Sequence, residues 1–452
     1  MRSILFFLIL NISLASFAQG EEVRGGLELS AVPPRTERCL AFLKKIPEDY
    51  FHAWIEVPEN GDDANSRKIF IFYYGRKAPG FANPIAFFNG GPTYPNHGFK
   101  TFEMIAKQRG NWDAYSFIYI DQRGTGCSDP YPRGGDEDTI RRLRWYGSSG
   151  IVRDAEAVRR VLLGSEKWKI FGQSYGGFIV HRYVSLFPNS ISRASSHAGV
   201  LTPDRMERMV DIIYAQYRVL NLYLDKYPDD RNRLQKLHEL AAAGTCLKIN
   251  GGRASCGFWN TDPFLFELGF SDGWDYYFHA RLAEIVPEGT VDLEKWAAYV
   301  EQNFETENAT ELEFAEAVIS YYDRDTAGFT EANCREAYAQ ILSRGIDERD
   351  LILNECQISL QEHSLPNMRD RVKVVLGNAQ DLLTIENFKV GLLQMQPNAF
   401  YLYSGERDVF VPRESFGPEA TSLGTNLRYK NFPDSGHEGF YSENQIWQDL
   451  LD

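Results

Sequence analysis

The stretch WKIFGQSYGGFIV, residues 168–180, contains the pattern from which the fold can be predicted. Residues 168–171 are apolar and typical of a buried strand, residues 172–176 form a G-x-S-x-G sequence, and residues 178–186 are typical of a helix. A strand, a sharp turn and a helix in this order expose a serine hydroxyl at the edge of a sheet. Such a turn needs glycine on both sides of Ser174 because the backbone approaches itself too closely for larger side chains. The stretch therefore predicts a nucleophilic serine at position 174.

Strand-like and helix-like segments alternate around this turn. Short apolar or alternating runs predict strands, and amphipathic runs predict the helices between them. The predicted strands are 52–57, 68–74, 84–88, 116–120, 168–171 and 192–200, and the predicted helices are 99–109, 150–163 and 178–186. The first two strands are expected to pair antiparallel. Strands that alternate with helices form a mostly parallel sheet with helices on both faces, so the predicted fold class is α/β.

Helical patterns replace this alternation after residue 200. They cover 204–224, 231–243, 293–304, 311–322 and 330–343. Strands are predicted again at 372–376, 399–403 and 427–432, followed by a last helix at 442–451. A helical block inside an α/β chain indicates an inserted cap. We therefore expect a first core segment at 19–200, a helical cap at 201–365 and a second core segment at 366–452.

The amino terminus has the features of a secretory signal peptide. Arg2 supplies a positive charge, residues 4–15 are apolar, and small residues around Ala18 favour cleavage after it. Residues 1–18 are therefore expected to be removed, and no later stretch is long and apolar enough to span a membrane. These features predict a secreted or periplasmic protein.

The net charge of −14 argues against a nucleic-acid partner, because phosphates require a basic surface. The sequence leaves the oligomeric state open.

The six cysteines are expected to form disulfides because export leads to an oxidising compartment. Six cysteines allow fifteen pairings, so the sequence does not fix the connectivity. The pairs that we favour are Cys246–Cys256 across a hairpin-like loop, Cys334–Cys356 between two cap helices, and the remaining Cys39–Cys127. No C-x-x-C motif and no histidine and cysteine cluster with zinc spacing is present, so no metal site is predicted.

A serine hydroxyl becomes a good nucleophile only when a base accepts its proton. In proteins with this turn the serine is followed along the chain by an acid and then by a histidine. Only His437, among eight histidines, follows the final predicted strand. Two acids compete, because Asp408 follows the predicted strand 399–403 and Asp381 follows the predicted strand 372–376. One helix and one strand fit between Asp408 and His437, and this spacing favours Asp408 as the acid that orients the imidazole.

An acyl-transfer site also needs backbone donors for the developing oxyanion. The N–H group of Tyr175, which directly follows the serine, is predicted to be one of them. The sequence N-G-G-P at 89–92 follows a predicted strand and is expected to supply the other. Because Pro92 has no N–H group, the second donor must be Gly90 or Gly91.

Three motifs taken together resemble the prolyl aminopeptidase (proline iminopeptidase) family of α/β-hydrolases, in particular its larger bacterial members. They are N-G-G-P at 89–92, D-Q-R-G-T-G-C-S at 121–128 and G-Q-S-Y-G-G at 172–177. The resemblance covers most of 70–200 and 398–440 and continues weakly at 269–273 in the cap. It implies the α/β-hydrolase fold and release of an N-terminal residue, typically proline, from peptides. It implies no metal or organic cofactor.

The resemblance also implies residue roles. Ser174, Asp408 and His437 match the triad, and the loop Gly90-Gly91 matches part of the oxyanion site. Family members bind the ammonium group of the substrate with carboxylates of the cap. The candidates for that role are Glu316, Asp272 and Asp275.

Two positions depart from the family pattern. The family usually has His-Gly-Gly-Pro-Gly, whereas this chain has Asn89 and Thr93 at the first and last positions. Threonine does not reach every backbone conformation that is open to glycine. We therefore expect a reshaped loop, with an effect on substrate preference more than on catalysis.

Two other functions stay open. The same fold could hydrolyse esters or other small amides, because a fold does not fix a function. A catalytically inactive binding protein on a hydrolase scaffold is a further alternative. Turnover of proline anilides against simple esters tests the first, and labelling of Ser174 by a fluorophosphonate tests the second.

Overall fold

The structure is a computed structural model that describes residues 28–451 with gaps. The residues outside the description are 1–27, 97–106, 108–111, 201–208, 250–252, 271–274, 304–314, 317, 321, 324–330, 348–349, 353–364, 378–380, 416–422, 425, 440–443 and 452. The predicted signal peptide and nearly all of the predicted helix 99–109 lie outside the described residues.

An eight-stranded sheet forms the centre of the described structure. The strands of the chain are β1 (Tyr50–Pro58), β2 (Lys68–Arg76), β3 (Pro84–Phe88), β4 (Ser116–Ile120), β5 (Trp168–Gln173), β6 (Ile191–His197), β7 (Cys246–Ile249), β8 (Arg253–Cys256), β9 (Phe400–Gly405) and β10 (Leu427–Phe432). The large sheet has the order β1-β2-β4-β3-β5-β6-β9-β10, and β7 and β8 form a separate hairpin. β2 is antiparallel to both of its neighbours, and every other pair in the large sheet is parallel. The predicted α/β class with a mostly parallel sheet is confirmed.

Helices cover both faces of this sheet. Those with described bounds are α1 (Glu37–Leu43), α2 (Glu137–Leu143), α3 (Ser148–Leu163), α4 (Tyr175–Leu186), α5 (Met209–Lys226), α6 (Asp230–Ala242), α7 (Asp262–Phe270), α8 (Asp275–Ile285), α9 (Leu293–Asn303), α10 (Glu331–Leu342), α11 (Leu365–Leu376), α12 (Ile385–Gln394) and α13 (Asn444–Leu451). Successive residues of β5 point to opposite faces, as expected for a strand. Ile170 belongs to one apolar core with Phe178 of α4, and Phe171 belongs to the other with Trp447 of α13.

The long segment between β6 and β9 is inserted between the sixth and seventh strands of the large sheet. β6 and β9 are neighbours in the sheet although about 200 residues separate them in the chain. Helices α5 to α12 and the hairpin β7–β8 lie in that segment. Phe264 of α7 and Trp296 of α9 are buried in an apolar cluster that includes Val409 of the loop after β9. The insertion therefore packs against the core close to the end of β9.

The prediction of a strand at 372–376 is wrong, because these residues end helix α11. Val372 and Leu376, which are four residues apart, are buried, whereas Val374 is 82% exposed. The buried side chains share an apolar cluster with Ile140 of α2. A short apolar run fits a buried strand or one side of a helix equally well, so its pattern does not distinguish them.

Two predicted disulfides are present in the structure. Cys39 of α1 is bonded to Cys127 in the loop after β4, and Cys246 is bonded to Cys256 across β7 and β8. Cys334 is disulfide-bonded, and its predicted partner Cys356 lies outside the described residues. These bonds are compatible with an exported protein. Among the residues with a described structure, no helix is long and apolar enough to cross a membrane.

Candidate active site

Ser174 lies in a sharp turn between β5 and α4. Its backbone has φ +58° and ψ −124°, in a region that L-residues seldom adopt. A Cβ atom on Gly172 would overlap the backbone carbonyl of Gly176, and one on Gly176 would overlap the carbonyl of Phe88 in β3. The turn therefore requires both glycines for the reason that the sequence suggested. The side chain of Ser174 stays partly exposed at the carboxyl edge of the sheet.

Asp408 and His437 meet over the same edge. His437 Nδ1 lies 2.9 Å from Asp408 Oδ2, and both side chains are buried. Asp408 Oδ1 accepts the backbone N–H groups of Phe410 and Val411, each at 2.9 Å. Since a carboxylate only accepts hydrogen bonds, Nδ1 carries the proton of this bond, and in the neutral imidazole the lone pair is therefore on Nε2. This is the tautomer that a general base needs.

Two backbone contacts hold His437 next to the turn. Its carbonyl accepts a hydrogen bond from Gln173 Nε2 at 3.0 Å, and Gln173 directly precedes Ser174. Its N–H group donates to the carbonyl of Gly269, at the end of α7 in the insertion, at 2.8 Å. The ring of Phe410 stands edge-on to the imidazole at 5.4 Å. The loop of His437 is therefore connected both to the serine turn and to the insertion.

The N-G-G-P loop lies directly against Ser174. A Cβ atom placed on Gly90 would be 3.4 Å from the Cβ of Ser174. Gln122 Nε2 donates to the carbonyls of Asn89 at 3.0 Å and of Gly90 at 3.2 Å. In a trans peptide the C=O and N–H groups point in opposite directions. Gln122 therefore fixes the direction of the N–H groups of Gly90 and Gly91, the two predicted donors.

Thr93 has a backbone conformation that favours glycine. Its φ is +83°, and its side chain is buried. For an L-residue this region costs about 1–2 kcal/mol. Asn89, the other departure from the family pattern, donates from Nδ2 to the carbonyl of Pro95 at 3.0 Å and so closes the loop. At Thr93 the loop therefore has a glycine-like backbone in spite of its sequence.

Burial shifts the pKa values of two ionisable side chains near His437. His197, at the end of β6, is fully buried, and burial lowers its pKa to about 3, with the nearby His437 acting in the same direction. Burial raises the pKa of Glu438 to about 7, although the charge of His437 opposes this. Both shifts disfavour the charged form, so charges next to His437 are poorly solvated.

The predicted carboxylates of the insertion lie in different surroundings. Asp275 is 3.2 Å from Arg407 and 3.3 Å from Lys226, so two cations already neutralise it. Glu316 is exposed, and the pKa of Tyr131 is raised first by burial of its hydroxyl and then by the charge of Glu316. Asp272 lies outside the described residues.

The competing acid Asp381 is not at the end of a strand. It precedes helix α12 and forms an ion pair with Arg182 at 3.4 Å. Ser149 donates a hydrogen bond to its other oxygen. These contacts engage Asp381 with groups other than His437.

No group of three or more histidine, cysteine, aspartate or glutamate residues that could hold a metal occurs in the described part of the chain.

Comparison with known proteins gives two kinds of sequence similarity. A family model described as alpha/beta hydrolase fold matches residues 83–244. Proline iminopeptidases of Aspergillus aculeatus and Aeromonas sobria are 30% identical over 138 residues and 31% identical over 132 residues. The first match covers 27% of this chain and 30% of the relative, and the second covers 28% of each. The chain thus spans less than a third of the length of these relatives. The matches confirm the predicted resemblance.

Solved structures of similar architecture include two hydrolases. An acetylester hydrolase from Corynebacterium glutamicum has 14% sequence identity and a TM-score of 0.44, over 93% of this chain and 99% of that chain. A proline iminopeptidase from Mycobacterium smegmatis has 15% identity and a TM-score of 0.41, over 88% of this chain and 99% of that chain.

Proposed function

We propose that this chain, which has the α/β-hydrolase fold, is a secreted serine aminopeptidase that releases N-terminal proline from peptides. The observation that carries the proposal is the hydrogen bond between His437 and Asp408, in a loop that Gln173 holds beside Ser174. The sequence similarity to proline iminopeptidases supports the choice of substrate.

In this proposal the reaction runs through an acyl-enzyme. His437 Nε2 accepts the hydroxyl proton of Ser174 while Oγ attacks the carbonyl carbon of the first residue. The oxyanion of the tetrahedral intermediate accepts hydrogen bonds from the N–H of Tyr175 and from that of Gly90 or Gly91. The C–N bond then breaks, and His437 gives its proton to the leaving amine.

Water completes the cycle. His437 accepts a proton from a water molecule, the hydroxide attacks the acyl carbon, and the proton returns to Ser174 Oγ as the free amino acid leaves. Asp408 keeps the imidazole in one tautomer and stabilises its cation during both halves. The ammonium group of the substrate would be bound by carboxylates of the insertion, for which Glu316, Asp272 and Asp275 remain candidates.

Turnover measurements on the purified protein test the proposal. Wild type should hydrolyse a prolyl anilide faster than anilides of other residues and should lose this activity when the proline nitrogen is acetylated. Ser174→Ala should lower kcat by roughly 10⁴-fold or more while the melting temperature stays near that of wild type. Activity on simple esters without any on aminoacyl anilides would support an esterase instead. Failure of Ser174 to react with a fluorophosphonate would support a binding protein.

Export has its own test. The chain expressed with its own amino terminus should be recovered outside the cytoplasm, with Gln19 as its first residue. Recovery in the cytoplasm with residues 1–18 still present would contradict the secreted assignment.

A further inference from the structure

Asp323 is a buried carboxylate of the insertion that contacts the serine turn. It belongs to the helical residues that the structure describes between 315 and 323, and its side chain is fully buried. Its Oδ2 accepts hydrogen bonds from the hydroxyl of Tyr175 at 2.6 Å and from the backbone N–H of Ser148 at 2.6 Å. Tyr175 is the residue whose N–H group is the proposed oxyanion donor. One side chain of the insertion is therefore bonded to the residue that follows Ser174.

One part of the surroundings favours a carboxylate at this position. Helix α3 begins after Gly147 and has no side-chain cap of its own, so Asp323 accepts the first N–H group of that helix from a distant part of the chain. The positive end of a helix dipole favours a negative charge. A Cβ atom on Gly147 would lie 2.5 Å from Asp323 Oδ1, so glycine leaves the space that the carboxylate occupies.

Nearby charges have opposite effects on the pKa of Asp323. The cation of Arg182 stabilises the carboxylate, and the negative charge of Asp381 opposes it. Burial is the largest influence, and it raises the pKa of Asp323 above its ordinary value. A buried carboxylate is costly unless donors compensate for the lost water. The hydroxyl of Tyr175 is thus a necessary partner of Asp323.

The ring of Tyr175 has little freedom once this bond is made. Its side chain is buried and stacks on Phe178, with ring centroids 6.0 Å apart. Phe178 belongs to α4 and is fixed in the apolar core. The bond to Asp323 fixes the other end of the ring, so the side chain is held at its hydroxyl and along one face. Through Cα this restrains the peptide that carries the Tyr175 N–H, and the carbonyl of that peptide, from Ser174, also accepts the N–H of Phe178 at 3.1 Å.

We propose that Asp323 is a positioning residue that orients Tyr175 for oxyanion binding and makes acyl transfer depend on correct seating of the insertion. This rests on the proposed function, since it assigns a supporting role in the same reaction. Asp323 does not touch the reacting atoms. It acts through the tyrosine side chain, and the insertion therefore takes part in transition-state stabilisation.

Tyr175→Phe is the first test, because it removes only the hydroxyl and keeps the ring and the backbone N–H group. We expect kcat for a prolyl anilide to fall by 10-fold to 100-fold with KM within about twofold of wild type, since the interaction is needed mainly in the transition state. The inhibition constant of a boronic acid analogue of proline should rise by a similar factor. Asp323→Asn should act in the same direction, and the double variant should be no worse than the more damaged single variant.

Tyr146→Phe is the matched control. The hydroxyl of Tyr146 is also buried and also bonded to a carboxylate, Glu59 at 2.9 Å, but it lies outside the serine turn. This variant should lose stability and keep kcat. If Tyr175→Phe behaves in the same way, with a lower melting temperature and unchanged kcat, Asp323 is a structural residue and the proposal is wrong.

A second measurement separates this proposal from the proposed function. The rate of fluorophosphonate labelling at Ser174 needs the same oxyanion donor but no aminopeptidase substrate. If wild type hydrolyses no aminoacyl anilide, labelling should still slow by 10-fold or more in Tyr175→Phe and Asp323→Asn. Equal labelling rates in wild type and in both variants would overturn the positioning role whatever the substrate is.

Discussion

Asp408 holds His437 with one carboxylate oxygen and its own turn with the other. Oδ2 lies 2.9 Å from the imidazole Nδ1, and Oδ1 accepts the N–H groups of Phe410 and Val411. The carboxylate is fully buried, so neither oxygen is in contact with bulk solvent. Because the two backbone bonds fix the carboxylate plane, the imidazole is aligned before any substrate binds. This arrangement makes the effect of an amide at position 408 predictable.

Asp408→Asn should lower kcat by about 10⁴-fold, the loss seen when an amide replaces the acid of a related triad. The amide can turn its NH₂ group toward Nδ1, which would place the ring proton on Nε2 and remove the base. The measurement is kcat for a prolyl anilide, with the melting temperature as a check of folding.

Asp381→Asn is the control for this change. The amide should weaken the ion pair with Arg182, which is 3.4 Å away, and should therefore lower the melting temperature. We expect kcat within a few-fold of wild type. If Asp381→Asn damages kcat more than Asp408→Asn does, the assignment of the acid is wrong.

Gly176→Ala should disturb the serine turn by steric overlap alone. Gly176 lies in helix α4, where alanine is normally favoured over glycine. Its Cβ would nevertheless overlap the carbonyl of Phe88 and lie 2.8 Å from that of Asn89. The overlap should cost about 1–3 kcal/mol of stability and push the N-G-G-P loop away from Ser174. We expect kcat to fall by at least 100-fold.

Gly164→Ala is the matched glycine variant. Gly164 has φ +60° but no atom within 4 Å of the added Cβ, so only backbone strain of about 1–2 kcal/mol is expected. Its kcat should equal that of wild type. Loss of activity in both variants would show that activity falls with any loss of stability, and that the overlap at Gly176 is not the specific cause.

The serine turn was predictable because its signals are local. The strand ending at Gln173, the helix beginning at Tyr175 and the two flanking glycines all follow from adjacent residues. The segment 372–376 was predicted wrongly because tertiary packing decides whether it forms a strand or a helix. Val372 and Leu376 pack against α2, which lies more than 200 residues earlier in the chain.

The supporting residues of the site were not predicted for a similar reason. Gln122, Gln173 and Asp323 act through hydrogen bonds to residues that are distant in sequence. The only sequence signal for the two glutamines is that each lies within a quoted motif, D-Q-R-G and G-Q-S-Y-G. Asp323 has no motif at all, because its partners become neighbours only when the insertion packs on the core.

Gln122→Ala should lower kcat by roughly 10-fold to 100-fold. Its side chain donates to the carbonyls of the two peptide units whose N–H groups belong to Gly90 and Gly91. Deleting a donor outright costs about 10²–10³-fold in other hydrolases, and loss of a group that only orients donors should cost less. The readouts are kcat for a prolyl anilide and the inhibition constant of a boronic acid analogue, which should worsen together.

Asn426→Ala serves as the comparison for Gln122. Its Nδ2 donates to the carbonyl of Leu392 at 2.9 Å, a partly buried amide-to-backbone bond away from the serine turn. This variant should lose some stability and keep kcat. Equal losses of kcat in both variants would contradict a specific role for Gln122.

His181 should make the protein sensitive to acid. It is fully buried in α4, Nδ1 donates to the carbonyl of Val200 at 2.6 Å, and the rings of Phe388 and Phe400 are 5.1 Å and 5.6 Å away. Burial lowers its pKa from 6.5 to about 4. Between these two values the unfolded chain binds a proton that the folded chain does not, so stability falls as the pH falls from 6.5 toward 4. The full effect is about 3 kcal/mol, from 1.36 kcal/mol for each pH unit.

Comparison of wild type with His181→Asn isolates this contribution. Burial raises the pKa of Asp121 to about 7, which stabilises the folded state on acidification and opposes the histidine, so the wild-type profile alone is not decisive. The asparagine can donate to Val200 from a similar position but does not titrate. We expect the variant to be less stable than wild type at pH 7.5. On going from pH 7.5 to pH 4.5, the free energy of unfolding of the variant should fall by about 2–3 kcal/mol less than that of wild type. Urea unfolding at both pH values measures it, and parallel profiles for the two proteins would contradict a buried neutral His181.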